Sequence, residues 1–144
     1  MKTRYLTFVA LIAASAALAH GGVKDPQVKA RMDLMGSVKN NMAVLGDTAK
    51  GALEFDPDAI EEAKTALIEN AASIPAAFKS PATDPKSEAL PAIWQNWDDF
   101  TAKAADMGRA VASVNVDSLE SVQTGMRTIG KTCGACHKLY RMDN

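Results

Sequence analysis

Apolar residues recur at three- and four-residue steps along most of this chain, and no stretch alternates apolar and polar positions over strand length. In KDPQVKARMDLMGSVKNNMAVLGDTAKG, the residues Val28, Met32, Met35, Met42 and Leu45 share one helical face. Asp25 is placed as its N-cap, Pro26 at its first helical position and Gly51 at its stop. The pair Asp56–Pro57 repeats that start signal before a stripe of Ile60, Ala63, Leu67, Ala71 and Ile74. Pro75, Pro81, Pro85 and Pro91 then predict a loop. A third helix is expected from Pro91 through PAIWQNWDDFTAKAADMGRAVASV, with Ile93, Trp97, Phe100, Ala104, Met107 and Val111 turned inward. A fourth begins at Asp117 or Ser118 and carries Leu119, Val122, Met126, Ile129, Cys133, Cys136 and Tyr140 along one seam. Four such helices with mostly short connections predict an all-α protein, an antiparallel up-down-up-down four-helix bundle.

The first residues break this pattern. MKTRYLTFVALIAASAALAHGG opens with Lys2 and Arg4, continues with an uncharged apolar run from Leu6 to Leu18, and ends in Ala17-Leu18-Ala19. Basic start, apolar middle and small-residue cleavage site together predict a secretory signal peptide over residues 1–19, leaving 20–144 as a single domain. A membrane-spanning helix needs about 20 apolar residues, more than this run supplies. Cleavage leaves 14 basic against 17 acidic residues, a net charge of −3.

Composition adds little except exclusions. Hydrophobic residues make up 47% of the 144, only 6% are aromatic, and the full-chain charge is −1. That balance offers nothing to nucleic acid or to an anionic membrane surface. No carboxylate pair or nucleophile–base set stands out, so the chain is not expected to be an enzyme. His20, beside the cleavage point, is given no role. Glu61-Glu62 and Asp98-Asp99 are expected to be solvated helix faces.

The chemistry is concentrated in TCGACHKLYR at the end. The chain's only two cysteines, Cys133 and Cys136, stand three apart, with His137 directly after the second. This C-x-x-C-H pattern is the attachment signature of a c-type haem. Two thiols have to meet two vinyl groups on one side of a porphyrin, and the neighbouring imidazole has to reach the iron from the same face. Positions i, i+3 and i+4 of a helix share one stripe, which meets both demands. A redox C-x-x-C pair belongs beside a strand–helix unit, and none is predicted. A zinc site lacks further ligands, and a disulfide across three helical residues would be strained and close almost no loop. One covalent haem c is therefore the expected cofactor.

A C-x-x-C-H at the end of the last of four helices resembles the class II cytochromes c, the cytochrome c-prime family. VKARMDLM in the first helix and PAIWQNWDDF opening the third share the resemblance, which extends over the whole mature chain. It implies that Cys133 and Cys136 carry thioethers and that His137 is the proximal ligand. The family contains five-coordinate members that bind nitric oxide or carbon monoxide, and low-spin members whose sixth ligand is a methionine.

Axial distance alone leaves two methionines for that sixth position. Met32 and Met35 lie about 9 and 14 Å into the first helix, close to the level of His137, whereas Met42 is about 24 Å in and Met107 about as deep. The resemblance matches Arg31 to an arginine near the haem propionates and Met35 to the distal position, which leaves Met32 touching the porphyrin. Arg127, Lys131 and Arg141 are further candidates for the propionates, and Trp94 or Trp97 for the porphyrin edge. The expected function is low-spin electron transfer with His/Met ligation in the periplasm, among redox partner proteins and without membrane insertion of the mature chain. The alternative is the five-coordinate gas binder. The family includes homodimers as well as monomers.

Overall fold

The computed structural model describes residues 22–143; the predicted signal peptide and its cleavage point lie outside the described residues. Five helices follow in order: α1 Pro26–Ala49, α2 Pro57–Phe78, α3 Ala92–Gln95, α4 Trp97–Ala112 and α5 Leu119–Tyr140. The predicted caps form. The Asp25 carboxylate accepts from the backbone N–H groups of Gln27 and Val28 at 2.8 and 3.0 Å. Asp56 does the same for Asp58 and Ala59, and the Ser118 hydroxyl accepts from the Ser121 N–H. Gly51 turns the chain after α1 at φ 77°, where a side chain would be strained.

The long helices pack as a square. α1 lies against α2, α2 against α4, α4 against α5, and α5 closes back onto α1. The antiparallel closure is visible in single contacts: the Gln123 amide donates to the Ala49 carbonyl at 2.9 Å, and Gly46 faces the Met126 methyl. Leu45, Ile60, Leu67, Ile93, Val111, Val122 and Ile129 fill the centre with 0–1% exposure. No described helix is long and apolar enough to cross a membrane.

Two boundaries differ from expectation. Pro75 does not end α2, which continues to Phe78. Only the last turn follows this proline, and burying Phe78 one step beyond Ile74 on the same stripe outweighs the lost backbone bond. The third helix is not continuous but breaks at Asn96 (φ −129°, ψ 49°). There the side-chain amide donates to the Ala92 carbonyl at 3.1 Å, alongside the backbone N–H of the same residue. Leu119, expected in the seam, is 39% exposed at the first position of α5.

The segment between α2 and α3 is irregular, as predicted, yet fixed at both sides. The Asp84 carboxylate accepts from the N–H groups of Lys24, Asp25 and Lys86, which holds it below the usual carboxylate range. Leu90 donates to the Tyr140 carbonyl at 3.0 Å and Met142 to that of Glu88 at 2.8 Å, around an antiparallel bridge of Ala89 with Arg141. These bonds draw the loop across the end of α5.

Among the described glycines, Gly125 has the least room: an added Cβ would lie 2.5 Å from Cγ2 of Val114, in the connection after α4. Gly125→Ala should destabilise the protein by about 1–3 kcal/mol through overpacking. Gly130, with nothing within 4 Å of an added Cβ, should instead gain up to about 1 kcal/mol on replacement by alanine. Urea midpoints of the two variants moving in opposite directions would bear this out; equal midpoints would contradict it.

Candidate haem-binding site

At the end of the bundle where α1 begins and α5 finishes, the packing leaves a cavity of about 650 Å³. Its size is that of a small-molecule or cofactor pocket. Cys133, Cys136 and His137 all reach it from α5, which runs unbroken through the motif and so keeps the three on one stripe. The cysteines are free and half-buried, and burial pushes both thiols above their ordinary values. Lys103 partly counters this at Cys136. Burial, and then the neighbouring Arg141, pull His137 below the usual imidazole range against the opposing charge of Glu88. A neutral imidazole is the form able to donate a lone pair to a metal.

Facing this stripe, α1 contributes Arg31, Met32 and Met35. Arg31 is 2% exposed although it carries a charge. Its Nη2 donates to the Ala82 carbonyl at 2.5 Å and its Nε to that of Gln27 at 3.4 Å. The guanidinium is sandwiched between Phe78 and Trp94, 5.5 and 5.3 Å from the ring centres. Burial lowers its pKa, partly against Asp25. Nη1 is the one buried side-chain nitrogen or oxygen without a hydrogen-bond partner among the described residues. An unmatched cationic donor on a side chain that lines a cofactor-sized cavity suits an anionic group such as a propionate. On this observation, and on the two thiols and imidazole facing the same space, the residues fit a haem c.

The cavity also gathers residues that sequence reasoning missed. Met42 and Met107 line it, although axial distance had set them aside, because the space extends inward between α1 and α4. Lys39, Lys86, Lys103 and Glu88 line it too. Lys103 follows Phe100 by one turn, a signal available in the stripe; Lys86 and Glu88 sit in the irregular loop, where periodicity says nothing. Phe78 could have been found as the next step after Ile74. Asp99, expected to be solvated, accepts from the buried Tyr140 hydroxyl at 2.5 Å and pairs with Lys103 at 3.4 Å. Burial first, then the bond to this carboxylate, raise Tyr140 to about 12.

Other expected residues lie elsewhere. Arg141 reaches the cavity and is held by Glu88 at 2.7 Å, but Arg127 and Lys131 do not line it. Neither tryptophan lines it: Trp97 packs on Phe100, and Trp94 donates from Nε1 to the Phe78 carbonyl at 2.8 Å while flanking Arg31. Glu61 and Glu62 flank a shallow groove on the outer face of α2, away from the cavity. His20 lies outside the described residues.

Comparison with known proteins places this arrangement. The chain is 37% identical over 120 residues to cytochrome c-556 of Agrobacterium tumefaciens (strain II Chrys), spanning 81% of this chain and 97% of that relative. It is 28% identical over 145 residues to cytochrome c′ of Rhodospirillum rubrum, spanning 96% and 98%. The structure of oxidised Rhodopseudomonas palustris cytochrome c556 superposes with a TM-score of 0.76 at 29% identity, covering 84% of this chain and 99% of that one. A family model described as Cytochrome C′ matches residues 26–141, from the first residue of α1 to just beyond the C-x-x-C-H turn. With its bundle, its cavity and its two cysteines accounted for together, the chain belongs to the cytochrome c′ family of mono-haem class II cytochromes c, which carry one covalent haem c.

Proposed function

We propose that this protein is a low-spin electron carrier of the periplasm, in which Cys133 and Cys136 would hold the haem through thioethers and His137 and Met35 would ligate its iron. When bound, haem c supplies one-electron chemistry as its iron alternates between ferrous and ferric. The observation that carries the reading is that Met35 lines the same cavity as Cys133, Cys136 and His137 while also packing against the buried core. Met32 lines the cavity without joining that core, which suits contact better than ligation. A thioether held by packing is kept in place in both oxidation states, which limits reorganisation. The names of the c-556 relatives point the same way.

The other residues have supporting roles. Arg31, fixed by two carbonyls and two rings, offers its unmatched Nη1 to a propionate. Tyr140, bonded to Asp99, holds the end of α5 against α4 one turn beyond Cys136. Arg141 is held beside His137 by Glu88 and keeps positive charge at the proximal side.

One observation favours a second reading. Four methionines line the cavity, and methionine is a common filler of irregular apolar space. If Met35 only packs, the protein is a five-coordinate cytochrome c′ that binds nitric oxide or carbon monoxide. Met35→Ala should convert a low-spin protein to a high-spin one that binds carbon monoxide, whereas Met32→Ala should leave the visible and magnetic spectra unchanged. An unchanged spectrum in Met35→Ala would remove that residue as a ligand.

Arg31 generates a separate expectation. A buried positive charge near the haem favours the reduced state, so Arg31→Gln should lower the reduction potential, by roughly 50 mV or about 1 kcal/mol for one electron. Potentiometric titration that finds no shift would remove Arg31 from the haem environment.

A further inference from the structure

α5 has a second chemical face, turned away from the cavity. Arg127, Lys131 and Lys138 are all exposed, and at 100° per residue they fall within about 40° of one another on the helix. The only carboxylate on this helix is Glu120, in its first turn. Several cations on the other helices are matched by a carboxylate, as in Lys29–Asp33, Lys64–Glu61 and Arg109–Asp106. Among the described residues, none of Arg127, Lys131 and Lys138 takes part in an ion pair; Arg127 donates only to the Thr124 hydroxyl. Near them two large apolar side chains are exposed: Leu139, in the last turn of the helix, at 48%, and Met142, two residues past its end, at 45%. Gly134 and Ala135, between the two cysteines, are exposed as well, so the turn that carries the motif is itself part of this surface.

Unpaired basic side chains around exposed apolar ones form the composition of a transient docking patch. We infer that this face of α5, carrying Arg127, Lys131 and Lys138 and bordered by Leu139 and by Met142 just past the helix, docks an acidic surface of a redox partner protein. The inference rests on the carrier reading. Charge complementarity selects the partner. Asp56, Asp58, Glu61, Glu62, Asp117 and Glu120 gather at the opposite end of the bundle, and Asp25, Asp84, Glu88, Asp98, Asp99 and Asp143 at the cavity end all lie off α5. A helix of 22 residues is about 33 Å long, roughly three screening lengths at 0.1 M salt. An approaching anionic surface therefore meets the local positive field of α5, not the net negative charge of the molecule. In each encounter one electron crosses between the two proteins, one being oxidised as the other is reduced, with no bond made and no proton moved.

The test uses the intact haem-loaded protein and two inorganic reagents in place of the partner. The ferrous protein gives one electron to hexacyanoferrate(III), an anion, or to tris(phenanthroline)cobalt(III), a cation. Between about 0.05 and 0.5 M salt, the rate with the anion should fall about threefold or more and the rate with the cation should rise. Lys131→Glu with Lys138→Glu should invert both trends. Lys50→Glu with Arg109→Glu changes net charge equally but at the far end, and should leave both trends in place. Salt dependence that follows net charge in the parent, or that responds alike to the two double variants, would overturn the docking face alone. A protein that exchanges electrons with neither reagent would overturn the carrier reading, and the docking face with it.

Discussion

Three side chains at positions i, i+3 and i+4 can face one flat group only while their helix stays unbroken, and the rest of this bundle is arranged around that requirement. α5 runs from Leu119 to Tyr140 as one continuous helix and holds Cys133, Cys136 and His137 on one stripe. The facing helices cannot close fully onto that stripe, because small and polar side chains there leave space. α1 and α4 line the gap with methionines, Arg31 and Lys103 instead of completing the core. Below it, the square of helices packs to full burial around Leu45, Leu67 and Ile129. Stability and function thus occupy different lengths of the same helices.

The open end of a bundle would fray without further ties, and the irregular segment supplies them. Asp84 joins it to the residues entering α1, and Arg31 bonds the Ala82 carbonyl. At the other side, Glu88, Leu90 and the Ala89–Arg141 bridge fix it to the end of α5. Most of these bonds involve a backbone group, so the loop is placed by geometry that few side chains control. The charged residues it brings to the cavity, Lys86 and Glu88, are consequently well positioned without regular structure around them.

This division explains what the sequence made legible. Helix starts at Asp25–Pro26 and Asp56–Pro57 are local events, governed by one side chain and the next three N–H groups. The core stripe of α2 follows from periodicity alone, and the C-x-x-C-H spacing carries its chemistry with it. Where a local signal competes with tertiary burial, the sequence misleads. Pro75 reads as a stop, yet Phe78 is buried; the third helix reads as continuous, yet the Asn96 amide takes part in its break. Axial distance placed Met42 and Met107 outside the site because it measures depth along a helix and not the shape of the space between helices. The partners of Arg31 were out of reach for the same reason: Ala82, Phe78 and Trp94 come from three separate segments.

Everything proposed about mechanism depends on whether Met35 would join His137 in ligating the haem iron. X-ray absorption at the iron edge of the intact, haem-loaded protein tests this most directly, in both oxidation states. Six ligands are expected, five nitrogen and one sulfur, with little change on reduction. Five nitrogen neighbours and no sulfur would contradict this, and would make this bundle a gas-binding cytochrome c′ whose methionines only fill space.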